Sequence, residues 1–178
     1  MRALFWKRWF LIISCVSASQ RNFQIILDDV STKILNKETI EKLGCQVQQI
    51  DNRSYVNCQM LLNREIVKVD VRTALDFRKL NGPAMKLYDV RLDACLLMGS
   101  FHKNRFLNLY SKNFKKQSNM QCPLKANFNY TLKGLYMDEQ DFPSSVPSGT
   151  FRSLSDFYLN KSSIASRVIT RGKVTHRL

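Results

Sequence analysis

The stretch Leu87-Tyr88-Asp89-Val90-Arg91-Leu92-Asp93-Ala94-Cys95 decides how this chain is read. Val90, Leu92 and Ala94 alternate with Asp89, Arg91 and Asp93, the period-2 pattern of a strand with one buried face. The segment that follows closes at Ser118-Asn119-Met120-Gln121-Cys122-Pro123, where proline interrupts regular pairing. Between the two cysteines Phe106, Leu109, Tyr110 and Phe114 recur at helical spacing, with Lys112, Lys115 and Lys116 turned elsewhere. The expected unit is a strand, one short amphipathic helix and a disulfide tying their ends.

Upstream, residues 1–18 read as a secretory signal peptide. Arg2, Lys7 and Arg8 form a basic start, Trp9 to Val16 is an apolar run of 8 residues, and Val16-Ser17-Ala18 is small enough for cleavage. A membrane span needs about 20 apolar residues, so this run is too short for one. Cleavage after Ala18 or Ser19 leaves a chain starting at Ser19 or Gln20, and the net charge of +14 falls to +11 because only three basic residues leave. The mature protein is expected to be secreted, extracellular and soluble. Three sequons agree with that compartment, at Asn52, Asn129 and Asn160, and a glycan on any of them must stay outside the core.

Cys15 leaves with the signal, so Cys45, Cys58, Cys95 and Cys122 remain, an even number suited to two disulfides. Cys45 to Ile50 and Tyr55 to Met60 flank Asp51-Asn52-Arg53-Ser54, and Asp and Asn both tolerate positive φ. A two-residue loop at Asp51-Asn52 sets Cys45 opposite Cys58, which leaves Cys95 for Cys122. The other two pairings of four cysteines are open to peptide mapping.

A second hairpin is expected to turn at Asn63-Arg64 into a strand over 66–73, with Val67, Val69 and Val71 on its buried face. Phe128, Tyr130 and Leu132 predict another strand, and residues 151–158 and 164–169 the last two. Residues 138–149 read as loop, in which Asp138, Glu139 and Asp141 are a solvated acidic turn, since no calcium-loop spacing follows. The region 23–43 carries two patterns. Phe23, Ile25 and Leu27 alternate like a strand, whereas Ile26, Val30 and Ile34 fit a helix, and Asp28-Asp29 early with Lys33 and Lys37 late favour the helix. The expected domains are therefore a signal (1–18), a helical extension (19–39), a sandwich (40–170) and a basic, frayed tail (171–178).

Catalysis is not expected. His102 and His176 have no carboxylate or cysteine at a useful spacing, and there is no phosphate-binding Gly-rich loop, Cys-x-x-Cys or nucleophile elbow. Neither a metal nor another cofactor is implied. Lys103, Arg105, Lys112, Lys115 and Lys116 crowd one segment, and Arg167, Arg171, Lys173 and Arg177 crowd the end. A secreted protein is not expected to meet nucleic acid. Such a basic face suits an anionic membrane surface or glycan.

The stretch from Leu87 to Cys95 resembles the Leu-Tyr-Asn-x-x-x-Asp-Ala-Cys signature of a large insect family of secreted proteins of unknown function. Ser118-Asn119 with Cys122-Pro123, Val146-Pro147-Ser148-Gly149-Thr150-Phe151, and the pair Cys45 and Cys58 resemble that family's other elements. Gln121 stands where the family often has histidine, and Phe151 where it has tyrosine. The resemblance extends to the ML lipid-recognition superfamily and to ganglioside-activator-like proteins of insect taste hairs. It implies a mainly β, antiparallel immunoglobulin-like (ML-like) sandwich. It also implies non-enzymatic binding of a lipid or other small apolar ligand between the sheets, in chemosensation or extracellular lipid handling. The alternative is a protein- or glycan-binding module with a filled core that works through its basic face.

Overall fold

The computed structural model describes residues 21–99, 105–159 and 163–177. The expected signal peptide, Lys103, His102 and Asn160 lie outside the described residues. The chain runs β1 (Phe23–Ile34), β2 (Ile40–Ile50), β3 (Arg53–Leu62), β4 (Asp70–Lys79), β5 (Ala84–Asp93), α1 (Ala94–Gly99), α2 (Arg105–Gln117), β6 (Tyr130–Leu135), β7 (Gly149–Tyr158) and β8 (Ile164–His176). A 3-10 turn, Glu139–Asp141, precedes β7. Two antiparallel sheets form a sandwich, one ordered β1-β8-β7-β4-β5 and the other β2-β3-β6. The expected helix is α2, with the shorter α1 ahead of it.

Turn chemistry sets the first hairpin. Asp51 and Asn52 have φ of 47° and 61°, the left-handed pair that matches strand twist in a two-residue loop. Ile50 then faces Arg53 and Cys45 faces Cys58. Their Cα atoms are 4.1 Å apart and the disulfide joins them. Cys95 and Cys122 form the second bridge, across the segment that carries both helices.

Four expectations are corrected. Residues 23–34 are not a helix but the edge strand β1, paired to β8, so the sandwich begins well before residue 40. A β-bulge between Leu27 and Asp29 explains the mixed pattern. Before it Phe23, Ile25 and Leu27 face inward, and after it the inward set is Val30, Thr32 and Ile34. One extra residue shifts the parity, and a shifted period of 2 imitates the spacing of a helix.

The strand expected over 66–73 starts only at Asp70 and runs to Lys79. Val69 and Val71 are buried as expected, but Val67 is 72% exposed. Ile66 instead forms a lone bridge to Leu124, whose two backbone hydrogen bonds pull the chain off its strand path. The expected basic tail is mostly strand: Arg171 to His176 pair with β1, and Gly172 and Val174 are buried. Glu139 is not solvated. It is buried, and its carboxylate accepts a hydrogen bond from the Ile25 backbone N–H at 3.3 Å.

The core falls into two clusters at opposite ends of the sandwich. Phe23, Ile25, Leu27, Val56, Phe77, Phe151 and Val174 make one. Ile40, Leu62, Ile66, Val69, Leu124, Tyr130 and Ala165 make the other, with Ile34 and Phe157 packed against it. Gly172 lets β8 pass close to its neighbours, since a Cβ there would strike the Ile26 carbonyl and the Phe151 ring.

Candidate functional site: an open flank between the sheets

The two sheets differ in width, and the difference makes the site. The small sheet lies nearest β1, where the Thr32 hydroxyl donates to the Leu43 carbonyl at 3.3 Å and closes that flank. At the other flank β5 is the outermost strand of a five-stranded sheet facing one of three. The strand expected around Leu87 to Cys95 runs Ala84–Asp93, with Ala94 and Cys95 opening α1; of its expected buried face Leu92 and Ala94 are half-buried and Val90 is exposed.

Pairing fixes which side chains point inward. Val71 faces Leu92, Thr73 faces Val90, and Leu75 faces Tyr88 across β4 and β5; a bulge follows, after which Phe77 faces Met85. Phe77 belongs to the first core cluster, so this whole row points between the sheets. Yet Val90, Tyr88 and Met85 are 40%, 41% and 42% exposed. Large apolar side chains aimed into a sandwich and still in contact with water mark an uncovered mouth.

Deeper in, the row changes character. On β7 the inward positions run Phe151, Ser153, Ser155, Phe157, with the two phenylalanines reaching one core cluster each. Ser155 faces Thr73 on β4, and Ser153 faces Thr170 on β8. All four are half-buried, although β7 has a strand on each side. A central strand of a filled sandwich normally presents β-branched or aromatic residues there. Between the two packed ends the inward row of the large sheet is therefore polar and partly exposed, and it runs out to the exposed apolar residues of β5.

Two grooves lie on the outer surface, apart from this inward row. One of about 470 Å³ lies on the outer face of the small sheet among Lys42, Gln46, Gln59, Thr131 and Lys133. The other, about 240 Å³, lies beside Cys122-Pro123, Phe128 and Tyr130. Neither runs between the sheets.

The outer face of the large sheet is an array of ion pairs. Arg72 binds Asp89 through two hydrogen bonds of 2.8 and 2.7 Å, and Lys86 adds a third at 3.0 Å. These donors, Arg72 first, hold the Asp89 carboxyl below the usual carboxylate range, and Asp89 in turn raises Arg72. Arg167 grips the buried Asp156 at 2.5 and 3.0 Å, a hydrogen bond that raises the arginine. Arg171 pairs with Asp29 and Lys173 with Asp28. Three of the four basic residues crowded near the end of the sequence are thus neutralised on the sheet.

The basic helix differs. Arg105 begins α2. Lys112, Lys115 and Lys116 are exposed and have no ion-pair partner among the described residues. Lys115 and Lys116 also complement the negative end of the helix. Asn52 and Asn129 are exposed. The His176 Nε2 lies 3.0 Å from the Val146 carbonyl oxygen. Among the described residues no three histidines, cysteines or carboxylates gather as metal ligands, and no helix is long and apolar enough to cross a membrane.

Sequence reasoning missed Tyr88, Met85 and the four hydroxyls as site residues. The readable signal was the alternation Phe151-Ser153-Ser155-Phe157, which places polar groups at inward positions.

No curated protein matches the chain. Among solved structures, chicken MD-1 complexed with lipid IVa is similar at 10% identity and a TM-score of 0.42, over 88% of this chain and 98% of that one. A Niemann-Pick type C2 protein from the Japanese carpenter ant is similar at 12% identity and a TM-score of 0.41, over 79% and 96%. Residues 71–153, which run from β4 into β7 and contain the mouth, both helices and the second disulfide, match a family described as "Protein of unknown function (DUF1091)".

Proposed function

We propose that this is a secreted, non-enzymatic protein that takes a lipid or other small apolar ligand into the cleft between its sheets, past β5. The observation that carries the reading is the inward-facing but exposed row Met85, Tyr88 and Val90, backed by half-buried Leu75. Apolar surface of that kind gains about 25 cal/mol per Å² when a ligand covers it. Extracellular lipid handling or chemosensation is the setting that the sequence resemblance suggests. Secretion rests on the basic and apolar start of the sequence, the sequons and the two disulfides.

Native mass spectrometry of protein recovered from the medium of a secretory host tests this. The protein should begin at Ser19 or Gln20, carry N-glycan on Asn52, Asn129 or Asn160, and retain a lipid-sized adduct. Ser155→Trp should plug the cleft and remove the adduct. An intact Met1 would refute secretion, and an adduct that survives Ser155→Trp would refute the location.

A second reading is favoured by one observation, the unpaired lysines of α2. Lys112, Lys115 and Lys116 would hold an anionic membrane surface or an acidic glycan. Salt-sensitive retention on heparin, lost in the triple Lys→Gln variant, would support it; retention unchanged by that variant would exclude this face.

A further inference from the structure

Resting on the cleft proposed above, we infer that its ligand carries a hydrogen-bonding oxygen part-way along an otherwise apolar length, received between Ser153 and Ser155 in a polar patch that Thr73 and Thr170 extend on either side. These four side chains stand on adjacent strands, Thr73 against Ser155 and Ser153 against Thr170. Neighbouring strands are about 4.8 Å apart and every second residue about 6.7 Å along, so one oxygen can sit between Ser153 and Ser155, with Thr73 and Thr170 on either side and about 12 Å from each other.

The patch is out of place in a filled core. β7 is paired along its length on both sides, so its ladder spends the backbone groups that a serine hydroxyl would otherwise use. Among the described residues none of the four hydroxyls has a protein hydrogen-bond partner, and none is sealed from water, all four residues being half-buried. A hydroxyl left unsatisfied in an apolar interior is disfavoured, and a valine in its place would pack better. Hydroxyls kept open in this position are matched to something that brings its own oxygen, from water or from a ligand.

The surroundings set the ligand's shape. From the mouth inward the row reads Val90 and Tyr88, then Leu75 beside Thr73, then the two serines, then Val168 beside Thr170, then Val30. Ser153 and Ser155 lie two strand spacings behind β5, about 10 Å from the edge. Apolar side chains flank the patch at the mouth and on the far side. A plain hydrocarbon would leave the hydroxyls unpaired, and a molecule with its only oxygen at the outer end would put it in the wrong place. An internal ketone, ester or hydroxyl fits.

Competitive displacement of a fluorescent naphthylphenylamine probe from the intact mature protein tests this. The competitors are heptadecane and the ketone of the same length with its oxygen on the central carbon. One to two hydrogen bonds in place of unsatisfied hydroxyls should make the ketone about tenfold tighter. The variant T73V/S153A/S155A/T170V should bring the two to parity while still binding the alkane. The single variant Ser155→Ala, which removes one oxygen and no carbon, should lower the preference severalfold even if the fourfold variant fails to fold. Equal binding of both competitors by the wild type overturns the inference and leaves the cleft standing. A preference unchanged by both variants also overturns it. Displacement by neither competitor overturns the cleft itself.

Discussion

Arg72 on β4 holds Asp89 on β5 with its Nε and one Nη, at 2.8 and 2.7 Å, one to each carboxylate oxygen. The pair ties the edge strand to the sheet on the face away from the cleft. Because the folded Asp89 is depressed below its ordinary value of 3.8, its contribution is present above that pH and is lost as pH falls towards the folded value. Asp89→Asn should therefore lower Tm slightly at pH 7, and the gap should narrow progressively as pH falls below about 4. Thermal melts from pH 7 to pH 2 check this; a gap that stays constant across that range would show that the pair does not stabilise the fold.

Val69 and Val67 offer a direct test of where β4 begins. Val69 is 6% exposed and Val67 is 72% exposed. Val69→Asp buries an unpaired charge and should abolish the yield of folded protein, while Val67→Asp should change Tm little. Comparable loss in both variants would mean that the strand starts earlier.

Gly172→Ala should destabilise by about 1 to 3 kcal/mol, because the new methyl meets the Ile26 carbonyl and the Phe151 ring, and neither can withdraw from a packed sheet. A urea midpoint equal to that of the wild type would show that β1 and β7 have more room beside β8 than the structure gives them.

The two disulfides close separations of 13 and 27 residues. Chain entropy alone assigns them about 3 and about 3.5 kcal/mol. The larger loss is expected on removing Cys95 and Cys122, since that bridge also fastens the segment carrying α1 and α2. The hairpin of Cys45 and Cys58 keeps its turn and its ladder without the bridge. Denaturant midpoints of the two double Cys→Ser variants should follow that order, and the reverse order would refute it.

Much of the architecture was legible in local pattern. The turn at Asp51-Asn52 sets the register that brings Cys45 to Cys58, because two left-handed residues close a two-residue loop and nothing else is needed. Alternation at Tyr130 and Leu132 and along β7 likewise names the inward side, since a strand has only two faces. Phe128 marks the limit of that rule: it fits the alternation but precedes β6 and is exposed.

What failed to show in the sequence depends on partners distant along the chain. Val90 and Leu92 alternate with charges as a buried strand should, and alternation says which side is apolar but not what lies across from it. Only the tertiary structure places β5 at the rim of a sheet wider than its partner, so that the same residues become a mouth. The bulge after Leu27 is another such decision: pairing with β8 absorbs the extra residue, and without that partner the stretch reads equally well as helix. Ser153 and Ser155 were visible as serines at inward positions. Their neighbours Thr73 and Thr170 lie far off in sequence, and pairing alone gathers the four into one patch. Local residue order determined the strands, turns and faces, because those obey rules of a few residues; the opening between the sheets was decided by strand order and sheet width, which no local stretch contains.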